Sequence, residues 1–310
     1  MEILPGLEAL PDPRIRAPIV TWGVFDGVHV GHRKVLGIVR DWAARAGSSS
    51  VLLTFDRHPA EVLTGRPVPL LSPLEERLRL LGGLGIDFCV VLGFTLEFSR
   101  KTAEEFVREI VAGKLRASGV VLGHDSRFGH DRGGDFESLG RLGTRLGLEV
   151  RRSDPEGAGG RPVSSTLIRE ALAAGRIEEA SRLLGRPFSV SGTIVRGDRR
   201  GSGIGFPTAN LELGEAVRPP KGVYVADARL DGTVRRAVAN LGTRPTFRAG
   251  GPELLEVHIL DLPPGDLYGK PLEVRFLSRL RDEMKFSGLE DLKMQIERDA
   301  EAARRYPGLA

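Results

Sequence analysis

The chain of 310 residues contains one cysteine, Cys89. An internal disulfide is therefore impossible, and a reducing cytoplasm is the expected setting. No apolar run approaches the length needed to cross a bilayer, and the start carries no signal-peptide pattern, so no membrane partner is expected. Aromatic residues make up only 6% of the chain. They are not interleaved with a strongly basic face, which argues against stacking platforms and leaves no nucleic-acid partner expected. Lysine is scarce, so the basic residues are nearly all arginine, a side chain suited to bidentate phosphate contacts although codon bias gives the same count. Amides are scarcer still: Asn210, Asn240 and Gln295 are all there are. Both asparagines lie in glycine- and proline-rich stretches, where asparagine favours turns in any case.

What the chain does carry is Gly23-Val24-Phe25-Asp26-Gly27-Val28-His29-Val30-Gly31-His32, directly after an apolar run. Histidines three apart at a helix start share a face. There the free backbone N–H groups and the positive end of the helix dipole favour anions. Glycines let the backbone approach a ligand closely. Gly23, Phe25, Asp26, Gly27, His29, Gly31 and His32 are thus candidates to hold a nucleotide triphosphate. The bland alternative is a histidine pair at an ordinary helix cap.

A length of 310 residues with 41% hydrophobic content suggests two domains with ordinary cores. In the first half, apolar runs at 18–24, 50–55, 87–93, 119–122 and 148–151 alternate with helical patterns near 32–46, 73–82, 102–115 and 135–146. That alternation predicts a parallel sheet with helices on both faces and a ligand cleft at the carboxyl ends of its strands. Helices near 165–174 and 177–184 follow. From Arg186 the period becomes two, with strands expected at 188–195, 222–229, 237–239, 255–259 and 272–276 and a hairpin turn at Asp231-Gly232. Closely spaced antiparallel strands imply a small barrel. A long amphipathic helix ends the chain, with Leu289, Leu292, Ile296 and Ala300 on one face. The expected division is 1–185 and 186–310.

A second signature, Val163-Ser164-Ser165-Thr166-Leu167-Ile168-Arg169, opens a helix with three hydroxyls and adds an arginine one turn later. Ser164, Ser165 and Thr166 can hold phosphate oxygens while Arg169 binds them bidentately, although a plain N-cap looks much the same. Together with His29 and His32 this suits in-line attack on an α-phosphate, which needs positioning and charge neutralisation more than covalent help.

These segments resemble the H-x-G-H nucleotidyltransferase superfamily and, more closely, bacterial bifunctional riboflavin kinase/FAD synthetase. Thr54-Phe55-Asp56-Arg57-His58-Pro59 is similar to that family's T-F-x-P-H-P, with Arg57 in place of proline. Gly123-His124-Asp125-Ser126-Arg127-Phe128-Gly129 is similar to G-x-D-F-R-F-G, with Ser126 in place of phenylalanine. The resemblance implies a pocket for FMN and adenine involving His58, Pro59, Asp125, Arg127, Phe128 and Gly129. It covers nearly the whole chain. It implies a Rossmann-like adenylyltransferase domain over 1–185 and an antiparallel flavokinase-type β-barrel with a C-terminal helix over 186–310.

In the second half, Gly201-Ser-Gly-Ile-Gly-Phe-Pro-Thr-Ala-Asn210 matches the flavokinase G-F-P-T-A-N signature, with Ser202 where the family usually has arginine. Gly201, Gly203, Gly205, Phe206, Pro207, Thr208 and Asn210 are the expected ATP-binding set. Thr208 and Asn210 offer neutral oxygens to Mg²⁺, a hard cation. Ala239-Asn240-Leu241-Gly242-Thr243-Arg244-Pro245-Thr246-Phe247, Lys221-Gly222-Val-Tyr224 and Leu267-Tyr268-Gly269 resemble further family segments. Tyr224 reads as packing rather than chemistry. Glu256 resembles the family's catalytic glutamate. Strand alternation puts it on one face with His258, where a carboxylate can accept the proton of the riboflavin 5′-hydroxyl.

The resemblance therefore implies phosphorylation of riboflavin to FMN with ATP, then adenylylation of FMN to FAD with release of pyrophosphate, with catalytic roles for Glu256, His29, His32 and Arg169. The expected partners are riboflavin, FMN, ATP and Mg²⁺; no oligomeric state follows. Two other readings compete: a nucleotidyltransferase for another phosphorylated acceptor fused to a non-catalytic barrel, and a nucleic-acid-binding barrel with a vestigial transferase.

Overall fold

The computed structural model describes residues 1–158, 161–196, 205–214, 216–243, 253–263 and 265–308. Gly201, Ser202 and Gly203 of the glycine-rich segment lie outside the described residues, as do Arg244, Pro245, Thr246 and Phe247. The chain divides into two compact units, Met1–Ser165 and Thr166–Ala310.

The first unit contains strands β1 (Glu2–Pro5), β2 (Ile19–Trp22), β3 (Ser50–Phe55), β4 (Phe88–Leu92), β5 (Gly119–Leu122) and β6 (Glu149–Arg152). All pair in parallel in the order β1-β4-β3-β2-β5-β6. The connecting helices are α1 (Val30–Ala46), α2 (Pro59–Thr64), α3 (Leu74–Gly82), α4 (Ala103–Glu105), which continues as a π-helix over Phe106–Lys114, and α5 (Phe136–Leu146). A two-residue pair, β7 (Gly157–Ala158) and β8 (Arg161–Pro162), follows. Successive strand residues enter different cores. Val20, Trp22, Leu53 and Leu122 join one, with Phe106 and Ile110 of the π-helix. Ile19, Leu52, Cys89 and Val121 join the other, with Leu36, Val39 and Trp42 of α1. The sheet is thus covered on both faces, as parallel pairing demands. Burial pushes the Cys89 thiol up to about 12, so it acts as a small apolar side chain.

The second unit begins within α6 (Ser165–Ala173), continues through α7 (Ile177–Leu184), and closes a barrel. Its strands are β9 (Phe188–Val195), β10 (Ala209–Leu213), β11 (Gly222–Leu230), β12 (Thr233–Thr243), β13 (Glu253–Ile259) and β14 (Pro271–Arg281), ordered β10-β13-β12-β11-β14-β9. Every pairing is antiparallel. Asp231 and Gly232 both take positive φ (48° and 80°) in the two-residue β11–β12 hairpin that this dipeptide predicts. Tyr224 is fully buried edge-on to Phe276, and its hydroxyl donates to the Pro220 carbonyl.

The last helix, α8 (Leu289–Arg305), packs on β11 and β12. Its apolar stripe starts later than the periodicity suggests: Leu289 is 60% exposed, while Ala300 and Ala303 are buried. Besides the two-residue β7 and β8, two strands have no counterpart in the sequence reading. β1 is too short to show a period, and β10 hides in Ala209-Asn210-Leu211, which reads as the end of a phosphate loop.

Candidate functional sites

Around β2 the strand order changes direction: β3 and β4 follow on one side, β5 on the other. In open parallel sheets ligands bind at such a switch point, beyond the carboxyl ends of the strands. The loop after β2 is held in an unusual shape there. Phe25 and Val28 both have positive φ (54° and 44°) and both are buried, a conformation that survives only where the surroundings enforce it. The buried Asp26 carboxylate accepts from the backbone N–H groups of Leu71 (3.1 Å) and Ser72 (3.0 Å), while its carbonyl accepts from Ser165 Oγ at 2.9 Å. Asp26 thus shapes the loop and joins the two signatures that sequence suggested as partners. Ser164 and Ser165 are half-buried beside it, whereas Thr166 and Arg169 lie on α6 in the second unit, exposed and half-buried respectively.

His29 caps α1: its Nδ1 accepts from the His32 backbone N–H at 3.3 Å. The two imidazoles stack with centroids 3.5 Å apart, and Phe25 meets His32 edge-on at 5.0 Å. A Cβ on Gly31 would press on the His29 ring at 3.2 Å, so the glycine fixes where that ring lies. Burial, aided by the neighbouring His29 and the Arg77 guanidinium, holds His32 well below the usual 6.5, making it a neutral imidazole near pH 7. Its Nδ1 is buried with no hydrogen-bond partner among the described residues.

Arg77 is the residue sequence reading missed. It is 1% exposed on α3 and donates to the Phe55 carbonyl, at the end of β3, at 2.5 Å. Its signal was an arginine one turn before the fully buried Leu81 of the same helix.

The loops after β3 and β5 leave the same sheet edge. His58 caps α2, accepting from the Ala60 N–H at 3.1 Å, with Pro59 in the first turn. Asp125 is exposed, and Arg127 pairs with Asp135 at 2.7 Å. Phe128 is 9% exposed and packs edge-on to Trp22 at 5.1 Å, so most of its ring belongs to the core beneath the edge. Gly129 has φ +73° and passes so close to Ala103 that no side chain fits.

In the barrel, register brings together the second set of candidate residues. Glu256 on β13 pairs with Asn210 on β10 and with Asn240 on β12. Paired residues share a face, and the buried neighbours Ala209, Ala239, Leu255 and Val257 occupy the opposite, inward one. Asn210, Glu256 and Asn240 therefore form one row on the outside of the barrel. Both asparagine Oδ1 atoms are buried and lack a partner among the described residues. His258 Nδ1 contacts the Pro207 carbonyl at 2.9 Å, and its ring meets Phe206 edge-on at 5.4 Å, fastening the segment before β10 to β13. Thr208 is exposed beside that row, and Gly205 has φ +89°.

Family models for FAD synthetase and riboflavin kinase match residues 13–167 and 184–307. Over 311 residues the chain is 37% identical to a bifunctional riboflavin kinase/FMN adenylyltransferase of Escherichia coli, covering 100% of this chain and 99% of the relative. It belongs to the bifunctional riboflavin kinase/FMN adenylyltransferase family. The relative of the same description in Bacillus subtilis is 34% identical over 299 residues, covering 93% of this chain and 92% of its own. A solved structure described as a macrolide-efflux protein from Streptococcus pneumoniae is 31% identical, with a TM-score of 0.89 over 99% of this chain and 100% of its own. Among the described residues no helix is long and apolar enough to cross a membrane.

Proposed function

We propose that this bifunctional riboflavin kinase/FMN adenylyltransferase runs its two transfers at the two sites described above, with 1–185 as the adenylyltransferase part and 186–310 as the kinase part. The observation that carries this division is that each motif set meets at its own place. His29, His32, Asp26 and Ser165 converge at the switch point of the sheet, while Asn210 and Glu256 face each other on the barrel.

In FMN adenylylation the FMN phosphate attacks the α-phosphorus of ATP and pyrophosphate leaves. Backbone N–H groups in the first turn of α1, apart from that of His32, which donates to His29, bind phosphate oxygens. Neutral His32 can present a ring N–H to them, and Arg169 supplies positive charge. His58, Asp125 and Arg127, at the loops after β3 and β5, are assigned to the FMN and adenine pocket. Phe128 serves there as the packed floor.

In riboflavin phosphorylation Glu256 takes the proton of the 5′-hydroxyl as that oxygen attacks the γ-phosphorus of ATP. The buried amide oxygen of Asn210, without a partner among the described residues, and a hydroxyl at Thr208 fit a hard cation, and Mg²⁺ held by them would neutralise phosphate charge. The single buried Cys89 supports a cytoplasmic setting.

The test is incubation with riboflavin, ATP and Mg²⁺, following FMN and FAD by chromatography. His32→Ala and Arg169→Ala should abolish FAD formation and leave FMN formation, whereas Glu256→Ala should abolish FMN formation and still convert supplied FMN. Loss of both activities from either set in a folded protein would overturn the two-site assignment.

A further inference from the structure

Asn240 has no part in the chemistry assigned above, yet it stands beside Glu256 in the same outer row as Asn210. Its amide oxygen is buried without a partner among the described residues. Buried acceptors are normally satisfied, so this one calls for a donor that arrives with a ligand. Two residues on along the same face, a side chain at Gly242 would collide with the Glu283 carboxylate, so that carboxylate borders the row beyond Asn240.

The order of the row decides which ligand. The segment leading to Asn210 carries the expected phosphate and cation contacts, and the His258 contact to Pro207 fixes it on the β10 side of Glu256. In-line phosphoryl transfer puts the attacking oxygen opposite the leaving group. With the nucleotide on the β10 side, the alcohol enters from the β12 side, where Asn240 stands. Riboflavin brings several ribityl hydroxyls, each an O–H donor suited to a carbonyl oxygen.

We propose that Asn240 is a specificity-determining residue for the acceptor alcohol, its Oδ1 accepting a hydrogen bond from a ribityl hydroxyl adjoining the one that Glu256 deprotonates. The chemical step balances without it: the 5′-oxygen bonds to the γ-phosphorus, the bond from that phosphorus to ADP breaks, and the proton passes to Glu256. Asn240 selects and orients the polyol. The inference rests on the kinase reading given above.

The experiment uses the full chain and the variant Asn240→Ala. Riboflavin affinity is read by quenching of flavin fluorescence with Mg²⁺ and ADP present. Loss of one neutral hydrogen bond should weaken riboflavin about three- to tenfold. Lumiflavin, which has the ring system without the ribityl hydroxyls, should bind wild type and variant alike. Mn²⁺ affinity in the presence of ADP, read by electron paramagnetic resonance, should not change, and conversion of supplied FMN to FAD should persist as a check on folding. An unchanged riboflavin affinity, an equal loss for lumiflavin, or a loss of Mn²⁺ affinity would each overturn the assignment. Persistence of riboflavin phosphorylation in both Glu256→Gln and Asn210→Ala would instead overturn the kinase reading beneath it.

Discussion

His32 shows how packing sets a residue's chemistry. Its ring lies between His29 and Phe25, close to a buried arginine, so protonation is disfavoured in the folded state. An unfolded chain would bind the proton near the usual 6.5. Below that value the unfolded state holds more protons than the folded one, and stability falls as pH drops. Chemical denaturation of wild type between pH 8 and 5 should show this loss in the first unit, and His32→Gln should flatten it; an unchanged slope would show that the proton is not excluded. Glu256 is a simpler case, since its role rests on position in the row. Glu256→Gln keeps the shape but removes the proposed base, and kcat for FMN formation should fall about 10²–10⁴-fold with little change in the KM for ATP.

Elements in both units are held by buried charges that reach across sequence. The Asp26 carboxylate ties the α1 entry loop to Leu71 and Ser72. Asp26→Ala leaves two amides without that acceptor and should cost about 2–4 kcal/mol in urea melts. FAD formation should fall with it, because the same loop sets His29. At the end of α8, Arg236 of β12 pairs with the fully buried Asp227 at 2.8 Å and donates to the Ala303 and Tyr306 carbonyls at 3.1 and 3.0 Å, closing the helix end onto β12. Arg236→Ala removes the arginine paired with a fully buried carboxylate and three contacts to the end of α8, and should destabilise the second unit by about 3–5 kcal/mol. The exposed Arg304–Asp261 pair offers the contrast: Arg304→Ala should change stability by less than about 1 kcal/mol. Equal effects in thermal melts would contradict this use of burial.

Across the whole molecule, two activities on separate motif sets should fail separately. His32→Ala and Glu256→Gln, mixed in one vessel with riboflavin and ATP, should restore FAD production, because FMN made by one chain feeds the other. Absence of FAD in the mixture would mean that FMN does not pass between chains.

Much of this organisation was legible in the chain. Apolar periods gave β3, β5 and β9 with the bounds found, and the histidine pair marked the start of α1. Motif residues named the candidates for both proposed sites. These features depend on neighbours a few positions apart, so a linear pattern can hold them.

Tertiary structure decided what pairs with what. β1 exists because the edge of β4 was available to it, and β10 because β13 and β9 flank it. Phe128 went largely to the core because Trp22 lay opposite, and Arg77 came to rest buried near His32 because the end of β3 offered a carbonyl. Above all, barrel register set two asparagines thirty positions apart on either side of Glu256. Register is fixed by the summed packing of whole strands, since a slip of one residue would turn every side chain to the other face. By itself the sequence determined which residues could do the chemistry; which of them stand side by side was settled only when the sheet and barrel closed.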